Sequence, residues 1–137
     1  MTTFITGGTT AIGRVLVKEL VRQGEAMRIL IQPNSNRSGL ELPGVEFTRG
    51  DLTDAVAVRK GMTGCDRVCH LAAIVSPAVP ESEWWRVNRD GSQGVLQVAY
   101  DMKVPSVVQV SSVAVLGPTQ PGEEADESRS VDPKSYF

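Results

Sequence analysis

The chain has 137 residues, 14 Lys plus Arg against 16 Asp plus Glu, and a formal net charge of −2. That length suits about one domain, and 41% hydrophobic residues supply enough apolar material for a single core. The weakly acidic balance without a basic cluster argues against nucleic acid or an anionic membrane as partner, and no apolar run approaches the roughly 18 residues of a membrane span.

In chain order, Phe4–Thr6 is a short apolar run before Gly7-Gly8 and predicts a buried strand ending at a turn. Ala11–Arg22 carries apolar residues at 12, 15, 16, 17, 20 and 21, a helical stripe with charges opposite, closed by Gly24. Met27–Ile31 predicts a second strand, broken by Pro33-Asn34-Ser35-Asn36. Val45–Thr48 predicts a third, after which Thr53 or Asp54 caps a short helix running to about Gly61. Arg67–Leu71 predicts the fourth strand. Between Pro80 and Met102 lies a long helical segment carrying Trp84, Val87, Val95, Leu96 and Val98, with Gly91 and Gly94 lowering its propensity. Ser106–Val110 predicts the fifth strand, and after Gly117 the chain turns polar and proline-rich.

Strands alternating with helices imply crossovers, and crossovers imply a parallel sheet covered on both faces. The expected fold is therefore α/β, a doubly wound Rossmann-like sheet of five strands in the order 3-2-1-4-5. Ligand is expected outside the carboxyl ends of strands one and four, where the order reverses. Cys65 and Cys69 are separated by three residues, with His70 the single histidine, which is neither a redox nor a metal pattern. No metal is expected, and the thiols are read as reduced and buried. The opening residues carry no basic start with a long apolar run, so the expectation is a soluble cytoplasmic protein.

Thr6-Gly7-Gly8-Thr9-Thr10-Ala11-Ile12-Gly13 joins the first strand to the first helix. In that context a glycine turn predicts dinucleotide binding. Gly7 leaves room for a pyrophosphate, the amides of the first helical turn bind the phosphates, and Gly13 lets helix and strand approach closely. The alternative is an ordinary tight turn.

The segment T-G-G-T-x-x-I-G resembles the fingerprint of the extended short-chain dehydrogenase/reductase superfamily, which includes NAD(P)-dependent epimerases, dehydratases and 3β-hydroxysteroid-dehydrogenase-like reductases. The family pattern T-G-x-x-G-x-x-G has its middle glycine where this chain has Thr10. A side chain there narrows the space over the pyrophosphate, or its hydroxyl donates to a phosphate. By the same resemblance, Asp51 and the amide of Leu52 hold the adenine ring, with a helix-capping aspartate as the alternative. Leu71, Ala72 and Ala73, in a segment like H-x-A-A, line the ribose or nicotinamide, and His70 is read as structural. Asn88, in a segment like V-N-x-x-G-T, holds the backbone of the site or is a plain helix asparagine. Ser112, with Ser111 as the other register, matches the serine that hydrogen-bonds the substrate oxygen. Tyr136 matches the tyrosine of Y-x-x-x-K, whose lysine would fall past Phe137.

The resemblance thus implies an N-terminal dinucleotide-binding domain over 1–137, incomplete, with the sixth strand and the C-terminal substrate domain absent. The chain is expected to be a fragment with negligible activity alone, and the fifth strand a bare apolar edge that favours self-association into a homo-oligomer. After the second strand, Gln32-Pro33-Asn34-Ser35-Asn36-Arg37 holds no acid, and Arg37 could take a 2′-phosphate, which favours NADP over NAD. A solvated loop cation is the other reading of Arg37. The parent protein is expected to be an oxidoreductase, epimerase or dehydratase acting on a hydroxyl or carbonyl substrate such as a sugar nucleotide. The alternatives are a non-catalytic, redox-sensing NAD(P)-binding module and a remnant that binds no cofactor.

Overall fold

A computed structural model of the chain describes residues 1–131. Tyr136 lies outside the described residues. Five strands form one sheet: β1 (Thr2–Thr6), β2 (Ala26–Ile31), β3 (Val45–Arg49), β4 (Arg67–His70) and β5 (Ser106–Gln109). Their order is β3-β2-β1-β4-β5 with every pair parallel, the doubly wound order expected.

The period-two alternation of the strands builds two cores. Phe4 and Ile5, consecutive in β1 and both fully buried, point to opposite faces. Ile5, Ile29 and Cys69 pack with Val17 and Leu20 of α1 (Ala11–Arg22). On the other face Phe4, Leu30 and Val68 meet Val58 and Met62 of α2 (Ala55–Met62) and Val95, Val98 and Ala99 of α4 (Ser92–Asp101). Burial of each such large side chain contributes roughly 1.5–3 kcal/mol, so the two faces together fix the register of the sheet. Between β2 and β3 a loop replaces a helix, and its Leu40, fully buried, plugs the α1 side.

The predicted elements are all present, with shifted limits. Leu71 leaves β4, although its N–H still donates to the Thr6 carbonyl at 3.1 Å. Val110 likewise leaves β5 while donating to the His70 carbonyl at 3.0 Å. The long helix is three pieces: α3 (Glu81–Trp84), a π-helical segment at Trp85–Gly91, and α4. A 3-10 turn at Val113–Leu116 follows β5. β5 is an edge of the described sheet, with Val107 41% and Val108 50% exposed. Among the described residues no helix is long and apolar enough to cross a membrane.

Candidate cofactor-binding site

The carboxyl ends of β1, β2 and β4 meet at the glycine turn. Gly7 has φ +73°, and a Cβ there would lie 2.6 Å from the Ala72 amide nitrogen and 2.7 Å from the Leu71 carbonyl carbon. Both the backbone conformation and the chain leaving β4 demand glycine. A Cβ on Gly13 would strike Gly7 O and sit 2.7 Å from Gly8 Cα, so α1 starts directly on the turn. Gly8 lies over Ile29, where a Cβ would come 2.6 Å from that side chain.

Thr10 is the N-cap of α1. Its hydroxyl accepts from the Gly13 N–H at 3.1 Å and donates to the Gly7 carbonyl at 2.8 Å. The hydroxyl proton is thereby engaged inside the turn rather than offered to a phosphate. The amides of Ala11 and Ile12 keep no acceptor among the described residues, as the first turn of a helix requires. Those amides, with the positive end of α1, suit a phosphate group.

Two adjoining crevices open above the turn. One, of about 210 Å³, is lined by Gly7, Thr9, Thr10, Leu52, Ala72 and Ala73 together with Thr6, Leu30, Gln32, Ser35, Gly50, Ile74 and Val87. The other, of about 490 Å³, shares Thr10, Ala72 and Ala73 and reaches Ala11, Ile12, Leu71, Asn88, Ser92, Ser111 and Ser112. Most of the residues expected at the site therefore gather on one continuous surface. Gly8, Gly13, Asp51 and Arg37 stand off it.

Asp51 lies behind Gln32. Its Oδ1 accepts from Thr53 Oγ1 (2.7 Å), Thr53 N (3.0 Å) and Arg86 (3.2 Å), and its Oδ2 accepts from Gln32 Nε2 (3.0 Å). The Thr53 donors, then Gln32 and Arg86, hold its carboxyl down at about 2. Asp51 does not cap α2: Asp54 does, accepting from Val56 N at 2.9 Å and Ala57 N at 3.1 Å. Arg37 pairs with Glu41 at 3.2 Å and stacks over Phe47, 5.6 Å from the ring centroid. Arg14 binds three backbone carbonyls, of Thr9, Asn36 and Ser38, tying the loop after β2 to the glycine turn.

On the β4 side, Asn88 Oδ1 accepts from Ile74 N at 2.7 Å and Nδ2 donates to Ile74 O at 2.9 Å. Asn88 sits in the π-helical segment, a distortion common at functional sites. His70 is 1% exposed, with Nδ1 bonded to the Thr6 hydroxyl and Nε2 to Ser92 Oγ at 2.8 Å. Burial lowers its pKa to about 4, so the ring is neutral at ordinary pH and joins β1, β4 and α4. Ser112 caps the 3-10 turn, accepting from Ala114 N at 3.2 Å, and lines the larger crevice beside Ser111. Cys65 and Cys69 are buried and free, with thiols pushed up by desolvation, and no metal-binding group exists among the described residues.

Sequence reasoning missed Ile74, in the loop leaving β4, and Val87 and Ser92, on the helical segment after Pro80. It met Gln32 only as the acid that is missing. The position immediately after β2 was the signal, because that residue sits at the rim of the crevice.

Comparison with known proteins agrees with this fold. The NAD dependent epimerase/dehydratase family matches residues 3–137. A 4-hydroxy-2-methyl-3-oxo-4-farnesyl-3,4-dihydroquinoline-1-oxide ketoreductase of Stigmatella aurantiaca is 34% identical over 137 residues, 100% of this chain and 41% of the relative. Sterol demethylase protein B of Methylococcus capsulatus is 34% identical over 134 residues, 97% of this chain and 40% of that protein. The structure of a UDP-glucose 4-epimerase of Thermus thermophilus in complex with NAD superimposes with a TM-score of 0.84 at 27% identity, covering 99% of this chain and 46% of that one. The chain thus spans about two-fifths of the length of these curated relatives. It belongs to the NAD dependent epimerase/dehydratase family.

Proposed function

We propose that the crevice holds a nicotinamide dinucleotide, and that the protein to which this chain belongs oxidises, reduces or epimerises a small substrate at a hydroxyl or carbonyl carbon. The observation that carries this reading is the Gly7–Ala72 contact. It brings two strand ends and the first turn of α1 together beneath a groove running from Gln32 to Ser112. The groove suits the group on this structure's own terms, because the amides of Ala11 and Ile12, at the positive end of α1 and without an acceptor among the described residues, open onto it.

The amides of Ala11 and Ile12 hold the pyrophosphate. Leu52 borders the adenine end, with Asp51 set back from it, and Leu71, Ala72 and Ala73 line the ribose and nicotinamide end. When bound, the nicotinamide supplies the capacity to accept or donate hydride. Ser112 fixes the substrate oxygen through its hydroxyl, and Tyr136 moves the proton between its phenol and that oxygen. Asn88 keeps Ile74, and with it the wall after β4, in place. Arg37, the residue expected to favour NADP, is already engaged by Glu41 and Phe47. Because the chain spans about two-fifths of its relatives, turnover by these 137 residues alone is expected to be negligible.

The test uses the whole protein. Ser112→Ala should lower kcat by about 10²-fold while leaving the dinucleotide Kd unchanged. Full activity in that variant would remove Ser112 from the reaction, and loss of dinucleotide binding would make it a structural residue.

A further inference from the structure

Behind the larger crevice, three side chains form a line of hydrogen bonds. Thr6, the last residue of β1, is fully buried, and its Oγ1 accepts from the Ala72 N–H at 3.3 Å and bonds His70 Nδ1. His70, the last residue of β4, is buried too, and its Nε2 bonds Ser92 Oγ at 2.8 Å. Ser92 opens α4, is half-buried, and lines the larger crevice with Leu71, Ala72 and Ala73. The line therefore runs from the interior of the sheet to the wall of the crevice.

The count of protons gives the line a direction. A neutral imidazole carries one N–H, and the bond made by one nitrogen sets the state of the other. Burial keeps this ring neutral at ordinary pH. Were Nδ1 protonated, Thr6 Oγ1 would accept from both Ala72 and His70, and its own proton would face no acceptor among the described residues. A buried O–H without a partner costs the full desolvation of that group. The Thr6 proton is therefore given to Nδ1, and Nε2 carries the ring proton and donates it to Ser92 Oγ. The proton of Ser92 then needs an acceptor of its own. Within a helix that acceptor is commonly the carbonyl four residues back, here that of Asn88, and no such bond is made. The direction left to the proton is the crevice.

We propose that His70 is a positioning residue: held by Thr6 as the Nε2–H tautomer, it donates to Ser92 and turns the Ser92 hydroxyl proton into the larger crevice, where that proton bonds the carboxamide oxygen of a bound nicotinamide. The last step rests on the dinucleotide reading above, which gives Leu71, Ala72 and Ala73 to the ribose and nicotinamide end. Ser92 lines the same crevice and is bonded to the residue directly before that segment. A carboxamide offers an accepting oxygen and a donating nitrogen, so a serine whose proton points outward selects the oxygen. With the line reversed, the same serine would present its lone pairs and select the nitrogen.

The experiment has two arms on the whole protein. The first is nitrogen-15 NMR of histidine-labelled protein near neutral pH, with the His70 signals identified by their loss in His70→Gln. Nε2 should be the protonated nitrogen and Nδ1 the bare one; the opposite tautomer overturns the inference. The second is calorimetric titration of NADH and of ADP-ribose, which lacks the nicotinamide, into unaltered and Ser92→Ala protein, with circular dichroism reporting the fold. Ser92→Ala should weaken NADH roughly three- to tenfold, the scale of one hydrogen bond, and leave ADP-ribose unchanged. Equal weakening of both compounds would make Ser92 a structural residue, and unchanged NADH binding would remove its donor role; either result overturns the inference. Failure of folded, unaltered protein to bind either compound overturns the dinucleotide reading instead. If Ser92→Ala does not fold, the tautomer in the unaltered protein decides alone.

Discussion

Asn88 holds Ile74 by both ends of its side-chain amide, at 2.7 Å to the backbone N–H and 2.9 Å to the carbonyl. The two residues belong to different elements, the π-helical segment and the loop leaving β4. Ile74 lines the smaller crevice and Asn88 the larger. One side chain therefore fixes a wall common to both.

The first prediction follows from that pair. Asn88→Asp keeps the size and the acceptor but loses the donor, leaving the Ile74 carbonyl facing a carboxylate. Loss of one partner from a part-buried pair costs about 1–3 kcal/mol. Urea melts should show that loss, with a weakened dinucleotide Kd beside it. Unchanged stability would mean the loop after β4 does not depend on Asn88.

A second concerns His70. Its folded pKa, about 4, lies below the usual value for histidine because burial disfavours the charged ring. The unfolded chain therefore takes up a proton first as pH falls. Stability from this group is whole above about pH 6.5 and is lost progressively toward pH 4, at up to about 1.4 kcal/mol per pH unit. Denaturant melts across that window should show the slope, and His70→Gln should flatten it. A slope identical in both proteins would place the titration elsewhere.

The glycine turn gives a third. Gly7→Ala puts a Cβ 2.6 Å from the Ala72 amide nitrogen in a backbone conformation that L residues avoid. The conformational part alone costs roughly 1–2 kcal/mol, and the overlap with backbone adds to it. Thermal melts should show a clear drop in Tm. Thr10→Ala, which removes the cap of α1, should cost about 1 kcal/mol. If Gly7→Ala melted like the unaltered protein, the close approach of β1 and β4 would be wrong.

A fourth concerns the edge. Val107 and Val108 are 41% and 50% exposed on β5, and Ile12 and Val15 of α1 are 67% and 69% exposed. An apolar strand edge templates pairing. The 137-residue chain should self-associate at high concentration in sedimentation velocity, and Val108→Lys should shift it toward monomer. A chain that stays monomeric with Val108 in place would show the edge to be protected.

Much of this fold is legible in the sequence because its signals are local. The existence and order of the elements follow from apolar spacing, and the crossover rule then leaves few sheet orders, although Ile12 and Val15 of the α1 stripe lie exposed. The glycine turn is legible for the same reason, since Gly7 and Gly13 are required by backbone geometry close in sequence. What escapes is set by distant partners. The resemblance implies that Asn88 holds backbone, but the partner it holds, Ile74, lies across the turn between β4 and α3, and the orientation of Gln32 depends on Asp51, after β3. Arg37 reads from sequence as a free cation because its partners, Glu41 and Phe47, are chosen by how the loop folds over Leu40. The π-helical segment carries no sequence mark, because helix period alone does not distinguish a widened turn.

The central claim is that the groove above Gly7 binds a nicotinamide dinucleotide, and calorimetry tests it most directly. NADH titrated into the folded protein should give saturable binding at one site per chain, and Gly7→Ala should abolish it. Absence of heat with folded, unaltered protein, or equal binding by Gly7→Ala, would contradict the account.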